Sequence, residues 1–206
     1  MDLPSSSPWA AVALAWFVAF ASGSLPFSPW LGRLVAKRDV REVGDGNPGA
    51  TNAYRAGGAG LGLAVLLLDV TKGVLPIVFA RDALGLGGWA LAAVAVLAVA
   101  GAAFSPFLGF RGGKALAVTL GTWIGLTIWT IPLVAVTSLV VATLLIEPNA
   151  WAVAVTLVAM LVGVLLWAPG GWPLAALLPQ AAIILWKHRA ELPRRPRRRH
   201  LESPSP

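Results

Sequence analysis

The stretch from Ala83 to Phe110 reads ALGLGGWALAAVAVLAVAGAAFSPFLGF and contains no Asp, Glu, Lys or Arg. Three other stretches are equally free of charge: 3–32, 115–146 and 148–186. A membrane-spanning helix needs about 20 mainly apolar residues. Over the whole chain 57% of residues are hydrophobic and 12% are charged, whereas about a quarter are charged in a typical soluble domain. The sequence therefore predicts an all-α polytopic membrane protein.

Turn signals and charges divide these apolar stretches into about seven transmembrane helices. The stretch 115–146 is too long for one span, and Thr130-Ile131-Pro132 divides it into two short helices. The expected spans are 9–26, 60–80, 88–107, two within 115–146, 150–167 and 174–187. An amphipathic segment at 30–36 leads into a polar segment at 37–58, which we expect to be a loop. Residues 1–190 form one integral-membrane domain, and 191–206 form a basic tail that we expect to be disordered.

The distribution of Lys and Arg predicts the orientation of the chain. With the N-terminus outside and the C-terminus cytoplasmic, fourteen of the sixteen Lys and Arg residues lie on the inner side. Cytoplasmic loops are expected to carry such an excess. Five spans would give the same location for the tail, so the charges fix the orientation more firmly than the number of spans.

The net charge of +7 comes mainly from the tail. Residues 187–206 carry seven Lys or Arg against two Glu, while the other 186 residues are nearly neutral. A juxtamembrane basic segment without aromatic residues is typical of contact with anionic lipid headgroups, so we expect membrane lipids as partners and no nucleic acid. Cysteine is absent, which excludes disulfides and thiol catalysis.

Two glycine-containing loops on the expected cytoplasmic side have the composition of anion sites. The first, 44–55, reads GDGNPGATNAYR, and the second, 110–114, reads FRGGK. Glycines let backbone N–H groups approach a ligand, and Arg and Lys provide charge for a phosphate. The second loop precedes a helix, whose N-terminus also favours an anion. An ordinary polar turn and a positive-inside anchor are the alternative interpretations of these loops.

Three other polar residues lie in or beside apolar helices. Asp69 and Lys72 are three residues apart and therefore share a helix face. Charges at membrane depth usually face the bundle interior in pairs, so we expect a structural ion pair in preference to a direct catalytic role. His188 follows the last helix, where a lone histidine is more often structural than catalytic.

The motifs of this chain resemble those of the bacterial acyl-phosphate:glycerol-3-phosphate acyltransferases of the PlsY type. Their order, their spacing and the chain length all agree with that family. The motifs that carry the resemblance are GSLPF at 23–27, DVR at 39–41 followed by GDGNPGATNAYR at 44–55, LDVTKGVLP at 68–76, FLGFRGGK at 107–114 and the region around His188.

The resemblance implies a seven-helix enzyme of the bacterial plasma membrane. It would transfer a fatty acyl group from acyl phosphate to the 1-hydroxyl of glycerol 3-phosphate, giving lysophosphatidate, with no cofactor and no metal. Arg55 and Lys114 would hold phosphate, and His188 would contact glycerol phosphate; no residue is assigned as a catalytic group. The candidate substrate- and phosphate-binding residues are Ser24, Asn47, Thr51, Asn52, Arg55, Arg111, Gly112, Gly113, Lys114 and His188.

The chain departs from the family pattern at four positions. Asp45 stands where the family has Ser, Ala102 where it has His, Ala115 where it has Gly, and Glu191 where it has Asn. A carboxylate in a phosphate loop repels the ligand unless a neighbour such as Arg41 or Arg55 compensates. The departures leave two hypotheses, an active acyltransferase and a degenerate paralogue that binds lipid or phosphate. A small-solute transporter is less well supported, because the polar groups gather on one membrane face.

Overall fold

The computed structural model describes residues 8–168 and 170–199, and these residues form a bundle of apolar helices. Within them lie eight α-helices and several short elements. The helices are α1 (Pro8–Ser24), α2 (Phe27–Val35), α3 (Ala50–Val78), α4 (Gly88–Ala103), α5 (Leu116–Thr127), α6 (Thr130–Leu145), α7 (Asn149–Trp167) and α8 (Gly171–Lys187). The short elements are 3₁₀ turns at Val40–Glu42 and Pro106–Leu108, a π-helical turn at Phe79–Ala83, and the strands β1 (Ile146–Glu147) and β2 (Arg197–Arg198). The all-α prediction is confirmed.

The bundle is built from helix pairs that are distant in sequence. Helix α4 lies between α1 and α8, while α3 packs against α5 and α6 against α7. The shared core consists of small and branched apolar side chains, including the fully buried Val94, Ile77 and Ile131. Large apolar side chains such as Leu133 and Leu166 face outward, as expected for a protein whose outer surface contacts lipid.

Among the described residues, four segments are long and apolar enough to cross a bilayer: Trp9–Val35, Ala50–Ala83, Gly88–Leu108 and Asn149–Trp167. Helices α5 and α6 are shorter, with 12 and 16 residues. At about 1.5 Å per residue, α5 extends about 18 Å, less than the ~30 Å of a hydrocarbon core. The count of seven spans and the orientation therefore remain predictions.

Three local features differ from the expectations. The polar segment ends earlier than expected, because α3 begins at Ala50 and includes Thr51, Asn52 and Arg55. Non-helical dihedrals at Gly57 and Gly58, the latter with φ of +79°, place a kink inside this helix. The break between α5 and α6 lies at residues 128–129, and Thr130 already opens α6.

The first part of the basic tail is also ordered. Strand β2 pairs antiparallel with β1, so that Arg198 lies opposite Ile146. Arg199 donates to Asn149 Oδ1 at 2.6 Å, and the Trp151 indole donates to the Arg194 carbonyl at 2.8 Å. The disordered tail expected from residue 191 is thus contradicted up to Arg199, and residues 200–206 lie outside the described part of the chain.

Candidate functional site

Lys114 is the centre of a charged cluster at one end of the bundle. Its ammonium group donates to Asp45 Oδ2 at 2.9 Å and to Glu191 Oε1 at 2.6 Å. These partners lie 69 and 77 residues away in sequence, in the loop before α3 and in the turn after α8. The two acidic departures from the family pattern therefore meet on one lysine. Neither Arg41 nor Arg55, the expected partners, forms an ion pair with Asp45; Arg41 pairs with Asp39 at 2.8 Å.

The loop before α3 is folded around the carboxylate of Asp45. Oδ1 accepts a hydrogen bond from the Asn47 backbone N–H at 3.2 Å and another from the Asn52 side-chain amide at 2.8 Å. The Asn52 amide also donates to the Asn47 carbonyl at 3.0 Å, and Arg55 donates to Asn52 Oδ1 at 3.0 Å. Asn47, Asn52 and Arg55 thus form one hydrogen-bonded chain that leads to Lys114.

The second loop packs directly against the first. A side chain at Gly113 would meet the Pro48 carbonyl at 2.9 Å and Asn47 Oδ1 at 3.6 Å. Gly113 also donates its N–H to the Ala102 carbonyl at 3.1 Å, and the buried Gly112 lies against the same end of α4. The two glycines allow the chain to pass between α4 and the first loop, which brings Lys114 to Asp45.

The charges on Asp45 and Lys114 stabilise each other. Burial would raise the pKa of Asp45, but hydrogen bonds from Lys114, Asn47 and Asn52 outweigh it and lower the pKa from 3.8 to about 2. Burial would lower the pKa of Lys114, yet its bonds to Glu191 and Asp45 raise that pKa above its ordinary value. Both groups are therefore ionised at neutral pH.

His188 ends α8 beside this cluster and is 2% exposed. Its Nδ1 lies 2.8 Å from the Ile184 carbonyl, which only accepts, so Nδ1 carries the proton and Nε2 is the acceptor of the neutral ring. Burial lowers the pKa of His188 below 6.5, and the Lys114 charge acts in the same direction. The ring is accordingly neutral at pH 7.

Asp69 and Lys72 form the predicted ion pair, with Lys72 Nζ 2.9 Å from Asp69 Oδ1. The same ammonium donates to the Leu25 carbonyl at 2.9 Å, and Ser22 donates to the Lys72 carbonyl at 3.0 Å. The pair thus joins α3 to the end of α1. It also lines a cavity of about 20 Å³, which has room for about one water molecule.

Ser24, Thr51 and Arg111 lie apart from the Lys114 cluster. Ser24 lines the small cavity together with Asp69, Lys72 and Gly113, and its hydroxyl donates to the Phe20 carbonyl at 2.7 Å. Thr51 lies on an open apolar groove of about 390 Å³ whose lining includes Tyr54, Leu63 and Leu66. The exposed Arg111 shares the second loop but contributes no ion pair among the described residues.

Three hydrogen bonds of buried side chains were not predicted from the sequence. Trp123 donates to Gln180 Oε1 at 2.8 Å, and Gln180 donates to Thr122 at 3.2 Å, which links α5 to α8. Gln180 is the one amide side chain within the apolar α8. Its isolated position among apolar residues could have indicated a buried hydrogen bond. Ser105, which donates to the Ser24 carbonyl at 2.6 Å, had no such signal. In the part of the chain that the structure describes, no three His, Asp or Glu side chains group as metal ligands.

Comparison with known proteins decides the family. The family model described as glycerol-3-phosphate acyltransferase matches residues 13–197. The chain belongs to this family. Glycerol-3-phosphate acyltransferase 1 of Deinococcus radiodurans is 37% identical over 182 residues, which cover 87% of this chain and 89% of that protein. A glycerol-3-phosphate acyltransferase of Leptospira borgpetersenii is 46% identical over 112 residues, which cover 54% and 51%. In the latter alignment the chain spans about half the length of the relative.

Two crystal structures of PlsY, an integral membrane glycerol 3-phosphate acyltransferase, have the same fold. The glycerol 3-phosphate form matches with a TM-score of 0.71 and 26% identity over 91% of both chains. The lysophosphatidic acid form matches with a TM-score of 0.72 over 88% of this chain and 90% of that one. As a member of this family with the fold of these structures, the chain is an integral membrane protein.

Proposed function

We propose that this protein transfers a fatty acyl group from acyl phosphate to the 1-hydroxyl of glycerol 3-phosphate, in the bacterial plasma membrane. The observation that carries the proposal is the meeting of Lys114, Asn47, Asn52 and Arg55 at one end of an apolar bundle. The family model and the two PlsY structures, with glycerol 3-phosphate and lysophosphatidic acid, support the same substrates.

The reaction needs positioning more than a strong nucleophile. The hydroxyl oxygen of glycerol 3-phosphate forms an ester bond to the acyl carbon, and the bond from that carbon to the phosphate oxygen breaks. The departing phosphate takes up the electron pair of the broken bond, and the hydroxyl proton ends on this phosphate, which is released as hydrogen phosphate. Phosphate is a good leaving group, so the protein's main tasks are to bind two anions and align the hydroxyl.

Cationic and amide groups of the two loops supply the anion binding. Lys114 and Arg55 provide positive charge, and Asn47 and Asn52 provide N–H donors. Arg55 is exposed and its guanidinium donates to Asn52 from one nitrogen, which leaves its other donors for a phosphate. Ser24 and Thr51 belong to the proposed substrate site through the cavity and the groove that they line.

The groove beside Thr51 suits the acyl chain of the donor. It is apolar and it opens outward. Its lining residues Ala50, Thr51 and Tyr54 lie at the start of α3, one or two positions from Asn52 in the sequence. A fatty chain lying there would stay in contact with lipid while its phosphate reached the polar loops. This arrangement explains why the proposed phosphate-binding groups lie at the end of the bundle.

His188 is suited to contact the glycerol part of the acceptor. Because its Nδ1 proton is directed to Ile184, the unprotonated Nε2 is the atom that accepts a hydrogen bond from a hydroxyl. Lys187 donates to the Ala103 carbonyl at 2.8 Å, and this bond fixes the end of α8 beside α4. We assign His188 to binding and orientation of the acceptor.

The test is a direct assay of purified protein in detergent with acyl phosphate and glycerol 3-phosphate. Release of inorganic phosphate and formation of lysophosphatidate, followed by mass spectrometry, are expected in equal amounts. Acyl-CoA offered in place of acyl phosphate is the matched control and should give no product. Absence of phosphate release with every acceptor tried would contradict the proposal.

A second candidate is a non-catalytic protein that binds lipid or phosphate on the same scaffold. The observation that favours it is the engagement of Lys114 by both Asp45 and Glu191. This candidate predicts that the double variant Asp45→Ser/Glu191→Asn also gives no turnover. Recovery of turnover in that variant would show that the scaffold is competent for the reaction.

A further inference from the structure

The carboxylate of Asp45 has the hydrogen-bond partners that a bound phosphate would need. One oxygen accepts from a backbone N–H and an amide N–H, of Asn47 and Asn52, and the other accepts from the Lys114 ammonium. Backbone N–H groups of a glycine-rich loop together with a lysine form a typical anion-binding site. Here the anion that fills the site belongs to the protein itself.

Lys114 offers little unpaired charge to a substrate in this arrangement. It contacts two carboxylates, so the three groups together carry one net negative charge. Arg55 is the nearest additional cation in the hydrogen-bonded chain. A phosphate group therefore approaches a site without net positive charge and gains its full attraction to Lys114 only after a carboxylate has moved away.

Of the two carboxylates that contact Lys114, Asp45 is the more exposed. Its side chain is 48% exposed, compared with 27% for Glu191 and 22% for Lys114. It belongs to a loop, whereas Glu191 is held in the turn after α8, where its N–H donates to the His188 carbonyl at 2.9 Å. A rotation of the Asp45 side chain into water would expose the donors of Asn47, Asn52 and Lys114 without moving a helix.

We propose that Asp45 is an internal competitor for the acceptor's phosphate and thereby sets the affinity of the site for glycerol 3-phosphate. The inference rests on the proposed function for the identity of the acceptor. It adds a specificity-determining residue, because an uncharged polyol such as glycerol has no phosphate that must displace Asp45. The Asp45 carboxylate therefore reduces the preference of the site for a phosphorylated acceptor over an uncharged one.

Isothermal titration calorimetry on the full chain in detergent tests this inference without requiring turnover. Glycerol 3-phosphate, inorganic phosphate and glycerol are titrated into the unmodified protein and into Asp45→Ser. We expect Asp45→Ser to bind both phosphate compounds roughly tenfold more tightly, since a hydrogen bond to a charged group corresponds to about that factor. Its affinity for glycerol should not rise by the same factor.

Two further variants complete the experiment. Glu42→Gln removes an exposed carboxylate from the same segment and controls for the general electric field, so its affinities should change less than about twofold, as for surface charges. Asp45→Asn keeps the size of the side chain and should show a smaller gain in affinity in the same direction. It therefore provides the test if Asp45→Ser does not fold.

Equal or weaker phosphate binding in both Asp45 variants would overturn the inference, and so would an equal gain in Glu42→Gln. Failure to bind either phosphate compound in any of these proteins would overturn it as well. The proposed function fails separately, when the unmodified protein binds glycerol 3-phosphate but forms no lysophosphatidate. A gain in Asp45→Ser still supports the role of Asp45 in that case.

Discussion

Two lysines of this protein are each held by a carboxylate, and their surroundings differ. Lys72 pairs with Asp69 on its own helix and donates to a backbone carbonyl of the neighbouring segment, and its side chain is 8% exposed. Lys114 pairs with two carboxylates from distant parts of the chain, and all three side chains are more exposed. The first arrangement is local and charge-balanced, which suits a scaffold. The second has excess negative charge and access to water, which suits an exchange of anions.

The largest effect is expected from breaking the buried pair. Lys72→Met leaves the Asp69 carboxyl group buried without its partner, and removal of one member of a buried pair typically costs about 3–5 kcal/mol of unfolding free energy. Thermal unfolding in detergent, followed by tryptophan fluorescence, should show a strongly lowered midpoint. The double variant Asp69→Asn/Lys72→Met should recover most of the loss. A midpoint unchanged in Lys72→Met would show that the pair does not support the fold.

Breaking the Lys114 cluster should affect activity more than stability. Lys114→Met removes the proposed phosphate-binding cation and leaves Asp45 and Glu191 as like charges, so we expect acyl transfer to fall about 100-fold or more, the scale reported for loss of one stabilising electrostatic donor. Lys37→Met, which removes an exposed cation before the first loop, is the control and should retain activity. A Lys114→Met protein as active as Lys37→Met would remove Lys114 from the site.

The sequence was most informative where apolar runs and turn residues alternate. All seven expected spans contain a helix, and the Asp69–Lys72 pair followed from helical spacing alone. The first turn of α3 was misassigned to a loop because Thr51, Asn52 and Arg55 are polar, while the apolar pattern that identifies a membrane helix begins only beyond the kink at Gly58.

The contact of Asp45 and Glu191 with Lys114 could not be predicted from the sequence. Each was recognised as a departure, but the contact joins three segments far apart in the chain and depends on how α4 and α8 end beside the first loop. The ordered part of the tail was not predicted for a similar reason, because two-residue strands such as β1 and β2 are too short to show a periodic sequence pattern.

A smaller effect is expected next to Lys114. Ala115 has φ of +59°, a left-handed conformation that costs an alanine about 1 kcal/mol and a glycine little. Ala115→Gly should therefore raise the unfolding free energy by roughly that amount, as measured by denaturant unfolding. Ala117→Gly, inside α5, is the matched control and should lower it by about as much. A lowered stability in both variants would contradict the assigned backbone conformation.

The smallest effect is expected at the tail, where the ion pairs are most exposed. Glu147 lies 3.4 Å from Arg197 and from Arg199, and the Arg197 side chain is 79% exposed. Surface ion pairs contribute about 0–1 kcal/mol, so Glu147→Gln should shift the thermal midpoint only slightly and less at high salt. If Glu147→Gln lowered the thermal midpoint as much as Lys72→Met does, burial would not determine how strongly an ion pair stabilises this protein.

The most direct test of the central claim is an experimental structure of the protein with glycerol 3-phosphate bound. We expect the phosphate to contact Lys114 Nζ and the Asn52 amide, and the Asp45 carboxylate to have left both. A bound glycerol 3-phosphate located elsewhere, with Asp45 still paired to Lys114 at 2.9 Å as in the present structure, would contradict it.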